Sequence, residues 1–155
     1  MIKRLLSTAC LHGLLAAAPA AELATKKALT LSAVKAVAAA AEAEAKANKW
    51  NVVIAILDDG ANLLYLQRMD DVQTGSVDVA IAKAKSAVKF RRPTKAFEEA
   101  LEGGRQAILS LPGAMPVEGG VPLIVDGKVI GAIGVSGVTS QQDGQIGAAG
   151  AKALQ

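Results

Sequence analysis

Imidazole and thiol chemistry is almost missing from these 155 residues, which hold one histidine, His12, and one cysteine, Cys10. Aromatic residues make up 3% of the chain, with one tryptophan, one tyrosine and two phenylalanines. So few rings provide no row of platforms on which nucleic-acid bases could stack. The longest apolar run, Leu5 to Ala18, is too short to cross a bilayer. It follows the basic pair Lys3-Arg4 and ends on the small residues Ala18-Pro19-Ala20, the order of a secretory signal peptide. The competing reading is a buried N-terminal helix. Cys10 lies inside the apolar run rather than after it, which argues against a lipoprotein. Residues 1–20 are therefore expected to be removed, leaving one domain over residues 21–155 that is periplasmic or secreted and has no membrane span.

Cleavage would take Cys10 and His12 with it. A mature chain without either residue type has no disulfide, no zinc site of the usual Cys and His ligands and no metal cluster of that kind. Cysteine nucleophiles and Ser-His-Asp triads are excluded as well. Loss of Lys3 and Arg4 takes the basic count from 17 to 15 against 14 acidic residues, so the net charge falls from +3 to about +1. A nucleic-acid partner is not expected. What remains is rich in alanine, valine, isoleucine and leucine, enough for one ordinary core.

The periodicity predicts an alanine-rich helix from Thr30 to about Lys49, with Val34, Val37, Ala38, Ala41 and Ala45 on its buried face. Asn51 to Leu57 reads as a buried strand, and Leu63 to Arg68 as its antiparallel partner across the turn Asp58-Asp59-Gly60-Ala61-Asn62. A second helix is expected from Ser76, its cap, to Phe90, stopped by Arg91-Arg92-Pro93. A short helix capped by Thr94 and running through Leu101 follows, and Arg105 to Leu111 fits either a helical turn or a strand. Val121 to Val125 and Lys128 to Val135 pair across Asp126-Gly127, a strong hairpin signal, before a last helix from Gln141 to Leu154. Strands grouped in antiparallel hairpins with helices before, between and after them predict an α+β fold, an antiparallel sheet flanked by helices.

Several segments could carry chemistry. Gly131-Ala132-Ile133-Gly134-Val135-Ser136-Gly137 lacks the order of a nucleotide-binding loop, and its glycines fit close packing in a strand better. Arg68-Met69-Asp70 can grip a ligand carboxylate through the guanidinium fork, or can be a strand-end ion pair. Lys83, Lys85 and Lys89, with Arg91 and Arg92 after them, form a basic strip on the expected polar side of the second helix. Asp143 is either a helix-start residue favoured by the dipole or a site carboxylate. Met69 and Met115 are soft donors or core filling. Tyr65 faces either a ligand or the second surface of the sheet.

Asp58-x-Gly60 with Leu63, Arg68-Met69-Asp70, Lys83-Ala84-Lys85-Ser86-Ala87 and Arg91-Arg92-Pro93-Thr94 stand in a distinctive order with Gly119-Gly120-Val121-Pro122, the Gly131 to Gly137 segment and Gln142-Asp143. This series, from about residue 28 to 155, resembles the GlcG/HbpS-like family, which includes the C-terminal domain of PduO-type proteins. The resemblance implies a profilin-like α-β-α fold, a homo-oligomer, often an octamer, and haem as the cofactor. Its matching positions nominate Arg68, Met69, Asp70, Lys83, Arg91, Arg92, Gly119, Gly120 and Asp143 as ligand-binding residues, and Tyr65 joins them from its place on the strand. Residues 21–155 contain no histidine for the iron, so Tyr65, Met69, Met115 or a lysine would have to serve, or haem would bind without a strong axial ligand.

Two functions compete at this point. One is an exported haem- or tetrapyrrole-binding module concerned with haem handling or redox stress. The other is an enzyme or accessory protein for a small organic acid, with Arg68 holding the carboxylate and Asp70 or Asp143 moving protons. The glycine- and alanine-rich faces of the first helix and of residues 131–137 are the surfaces expected to join subunits.

Overall fold

The structure is a computed structural model that describes residues 21–154. The expected signal segment, with Cys10 and His12, lies outside them. The elements run α1 (Leu31–Ala47), β1 (Val53–Asp58), β2 (Leu63–Arg68), α2 (Gly75–Phe90), α3 (Lys95–Glu102), a 3-10 turn (Gln106–Ser110), β3 (Gly120–Val125), β4 (Lys128–Ser136) and α4 (Ser140–Lys152). The four strands form one antiparallel sheet in the order β2-β1-β4-β3. The α+β reading therefore holds. Among the described residues, no helix is long and apolar enough to cross a membrane.

Strand alternation sends side chains into two cores. Val52, Ile54 and Ile56 join Ile133 and Val135 beneath α1 and α4, packed with Val37, Ala41 and Ile146. Val53, Ala55 and Leu57 join Ala132 on the other face, against Ala80, Ala84 and Ala87 of α2. Gly134 pairs with both Ala55 and Gly120. A methyl group on Gly134 would run into the Ala80 carbonyl, and one on Gly120 into the Lys83 carbonyl. These glycines let α2 lie directly on the sheet. The close-packing reading of the Gly131 to Gly137 segment is thus met inside the subunit. The expectation that this segment and α1 face another subunit is corrected, because Val37, Ala38, Ala41 and Ala45 are also consumed by the core.

Local chemistry explains the element ends. Thr30 caps α1 by accepting from Ala33 N–H, and Thr139 with Gln142 forms a capping box at α4. Asp126 (φ 49°) and Gly127 (φ 71°) give the β3–β4 turn the two positive φ values of a type I′ hairpin. At the β1–β2 turn the left-handed residue is Ala61 (φ 65°), between Gly60 and Asn62, the two residue types that tolerate that conformation most easily. The Asp58 carboxylate accepts from the Gly60 and Asn62 N–H groups and so organises that loop. Ser76 does not cap α2. It is buried inside the helix, where its hydroxyl meets that of Ser136 at 3.2 Å. Residues 106–110 resolve the ambiguous stretch as a 3-10 turn.

Candidate functional site

The ten nominated residues do not form one constellation. Lys83, Gly119, Gly120 and Asp143 come together; Arg68, Met69 and Asp70 make a second group; Arg91, Arg92 and Tyr65 each stand elsewhere.

The first group is a buried ion pair. Lys83 Nζ donates to Asp143 Oδ2 at 2.7 Å, and both side chains are 2% exposed. Lys83 comes from α2 and Asp143 from α4, on opposite faces of the sheet. Their contact crosses the start of β3, where Gly119 (φ +131°) has no side chain to block it: a Cβ there would lie 2.8 Å from Lys83 Nζ and 2.9 Å from Asp143 Cβ. Asp143 Oδ1 accepts from Val138 N–H at 3.3 Å. Burial pushes the Asp143 carboxyl above its usual range, with Lys83 and the Val138 and Gly137 N–H groups pulling the other way. The polar placement expected for Lys83 is therefore wrong: it lies three residues after Ala80 and four before Ala87, on the buried face of α2. Lys85 and Lys89 stay exposed as expected. The Thr94 hydroxyl, expected to cap α3, instead accepts from Gly120 N–H at 2.9 Å.

The second group, with Asp71, lines a shallow hollow of about 240 Å³. Arg68 has already spent much of its guanidinium there, donating from Nε to the Val72 carbonyl at 2.9 Å and from Nη2 to the same oxygen. Met69 fills space between the two cores. Tyr65 packs towards α1 and its hydroxyl donates to Gln67 at 2.8 Å. Arg92 lies over the Phe97 ring, 5.6 Å from its centroid.

Arg91 lines a much larger cleft, of about 690 Å³. One wall is the extended segment Thr25-Lys26-Lys27, another is Ile124 to Ile130 of the β3–β4 hairpin, and Asp59 of the β1–β2 turn stands at the edge. Ile124, Val125, Val129 and Ile130 make it apolar; Lys26, Lys27, Lys128 and Arg91 make it cationic. Two ion pairs hold the extended segment over it, Lys26 to Asp59 at 2.6 Å and Lys27 to Asp126 at 2.5 Å. The hydrogen bond to Asp59 raises the Lys26 pKa, and that from Lys27 lowers the Asp126 pKa. Arg91 is itself unusual, since this non-glycine residue ends α2 in the left-handed region (φ 52°). Sequence reasoning found Arg91 and missed Lys26, Lys27, Asp59, Asp126 and Lys128. Ile124, beside the tight turn, marks the cleft only once the fold leaves it 46% exposed.

As to fit, the cleft has the dimensions of a small-molecule site. Its apolar wall and cationic rim suit a flat apolar ligand with an anionic edge. Its side-chain donors to a metal would be the amines of Lys26, Lys27 and Lys128, the Asp59 and Asp126 carboxylates and the Thr25 hydroxyl; Tyr65, Met69 and Met115 do not line it.

Comparison with known proteins agrees with this architecture. Residues 29–152 match the family model described as haem degrading protein HbpS-like. Protein GlcG of Escherichia coli K12 is 45% identical over 112 residues, covering 72% of this chain and 84% of GlcG. A crystal structure of a doubly substituted HbpS from Streptomyces reticuli superposes with a TM-score of 0.77 at 32% identity, covering 90% of this chain and 99% of that one. The structure of a PduOC:heme complex superposes at 0.76 with 27% identity, covering 83% and 96%. With that match spanning all four helices and the whole sheet, the chain belongs to the HbpS-like family.

Proposed function

We propose that this protein binds haem or a closely related tetrapyrrole in the cleft between residues 25–27 and the β3–β4 hairpin. The observation that carries the reading is the cleft's pairing of the apolar wall Ile124, Val125, Val129 and Ile130 with the cations Lys26, Lys27, Lys128 and Arg91. A macrocycle buries apolar area against the wall, and its carboxylates meet the rim. The heme complex of the relative PduOC supports the same ligand class. Bound haem supplies a redox-active iron. The chain's own part is to enclose the ring and hold its carboxylates, since the cleft offers the iron no imidazole. Haemin titrated into residues 21–155 should give a saturable Soret change, and Arg91→Ala should weaken it about ten-fold, the scale of one charged hydrogen bond. Arg68→Ala is the control, its guanidinium being committed to Val72. No saturable change in the wild type would refute the proposal.

Export and self-association belong to the same reading. The support for export is the Lys3-Arg4, Leu5–Ala18, Ala18-Pro19-Ala20 order, and mass spectrometry of the periplasmic fraction should find a chain starting near Ala21. The support for a homo-oligomer is the edge strand β2, where Leu63, Leu64 and Leu66 are 47%, 40% and 40% exposed. Light scattering of Leu66→Lys beside the wild type tests it, with a smaller particle expected for the variant.

A further inference from the structure

The extended segment before α1 is attached to the body in two different ways. Leu29 packs against the α1 side core, with its Cδ1 seated where a side chain on Gly131 would stand. That is an anchor of buried apolar contact. Beyond it, the attachment consists of Lys26–Asp59 and Lys27–Asp126, with lysine side chains 69% and 63% exposed. Exposed pairs of this kind hold weakly and weaken further in salt. All four residues line the cleft, and the two aspartates come from different turns, β1–β2 and β3–β4. Among the described residues, the ion pairs that hold the outer end of this cleft wall use two carboxylates that a ligand's own carboxylates can replace.

We propose that Lys26 and Lys27 form a carboxylate-exchange strap that makes the cleft selective for ligands with two carboxylates. It rests on the tetrapyrrole reading and adds the feature that decides which pigments bind. An entering diacid takes Lys26 from Asp59 and Lys27 from Asp126, and the strap closes on the ligand while remaining anchored at Leu29. A pigment of the same shape with esterified carboxylates cannot make the exchange, and must bind with the strap still held by the aspartates.

The test titrates haemin and haemin dimethyl ester into the mature chain as wild type, Lys26→Gln/Lys27→Gln and Asp59→Asn/Asp126→Asn. The wild type should prefer the diacid by about ten-fold or more. The lysine variant should lose most of that preference by weakening for the diacid alone, keeping the part that Arg91 and Lys128 supply. The aspartate variant should bind the diacid more tightly, because its lysines need not be exchanged. Without pigment, tryptic cleavage after Lys26 or Lys27 should speed up in about 0.5 M salt in the wild type and be fast at low salt in the aspartate variant. Haemin should slow it in both. Equal affinity for diacid and ester, unaltered in the lysine variant, overturns the strap while the haem reading stands. Binding of neither pigment overturns both.

Discussion

Replacing Lys83 with Met removes an ammonium from the interior and keeps most of the stem's volume. Asp143 then remains 2% exposed, with the Val138 N–H at 3.3 Å as a weak partner. Breaking a buried pair by removing one member costs about 3–5 kcal/mol, because the other charge is left without its partner. The protein can reduce that cost by protonating Asp143, whose pKa burial already raises and which loses its main opposing influence with Lys83. The sign follows directly. A carboxyl with its folded pKa above the unfolded value binds more protons in the native state, so stability falls as pH rises from the unfolded value through the folded one. Lys83→Met should therefore be less destabilised at about pH 5 than at about pH 8. Asp143→Asn alone should be costly as well, since it strands the ammonium. Lys83→Met/Asp143→Asn together should cost less than the sum of the two by about 2 kcal/mol, the size of coupling expected for groups in contact. Urea unfolding followed by far-UV circular dichroism at both pH values measures all three. A Lys83→Met penalty below about 1 kcal/mol that ignores pH, or strict additivity in the double variant, would show that the pair is solvated and refute the reasoning.

Arg91→Gly should raise unfolding free energy by about 0.5–1 kcal/mol, because glycine adopts the left-handed end of α2 without penalty, and should still weaken haemin binding. Thermal melts and a titration on the same sample check both; a less stable variant would show that the side chain outweighs the backbone. Asp58 is held below its usual pKa, first by the Asn62 N–H, then by the Asn62 side chain and the Gly60 N–H. Its contribution is present above the ordinary carboxylate range and is lost as pH falls through its depressed value, so Asp58→Asn should flatten the acid side of a Tm–pH profile. Superimposable acid limbs would count against this role.

The sequence carried the sheet because its signals are local. Asp126-Gly127 can hardly be anything but a tight hairpin turn, and the unbroken apolar run of residues 52–57 fits a strand buried on both faces. Lys83 was misplaced even though its spacing from Ala80 and Ala87 put it on the buried stripe. Charge suggested solvent, and the partner that overrules this lies 60 residues away on the opposite layer. The cleft was less legible still. Lys26 and Lys27 sit in a segment without periodicity, and Asp126 could be read only as a turn former until the fold brought Lys27 to it across 99 residues. Gly119 and Gly120, nominated as ligand contacts, are places where backbone passes close to Lys83, and at Gly119 to Asp143 as well.

The contact between Lys83 and Asp143 also bears on how the molecule breathes. Ordinarily a helix packed on one side of a sheet can detach while the other side stays intact, giving separate opening units. Here, lifting α2 would leave the α4 carboxylate unpaired, and lifting α4 would do the same to the α2 ammonium. The amides of α2 and α4 should therefore exchange with solvent as one cooperative unit, although the sheet stands between them. Residues 21–27 lie outside that unit. The strap exchange proposed for them would leave the interior's protons in place.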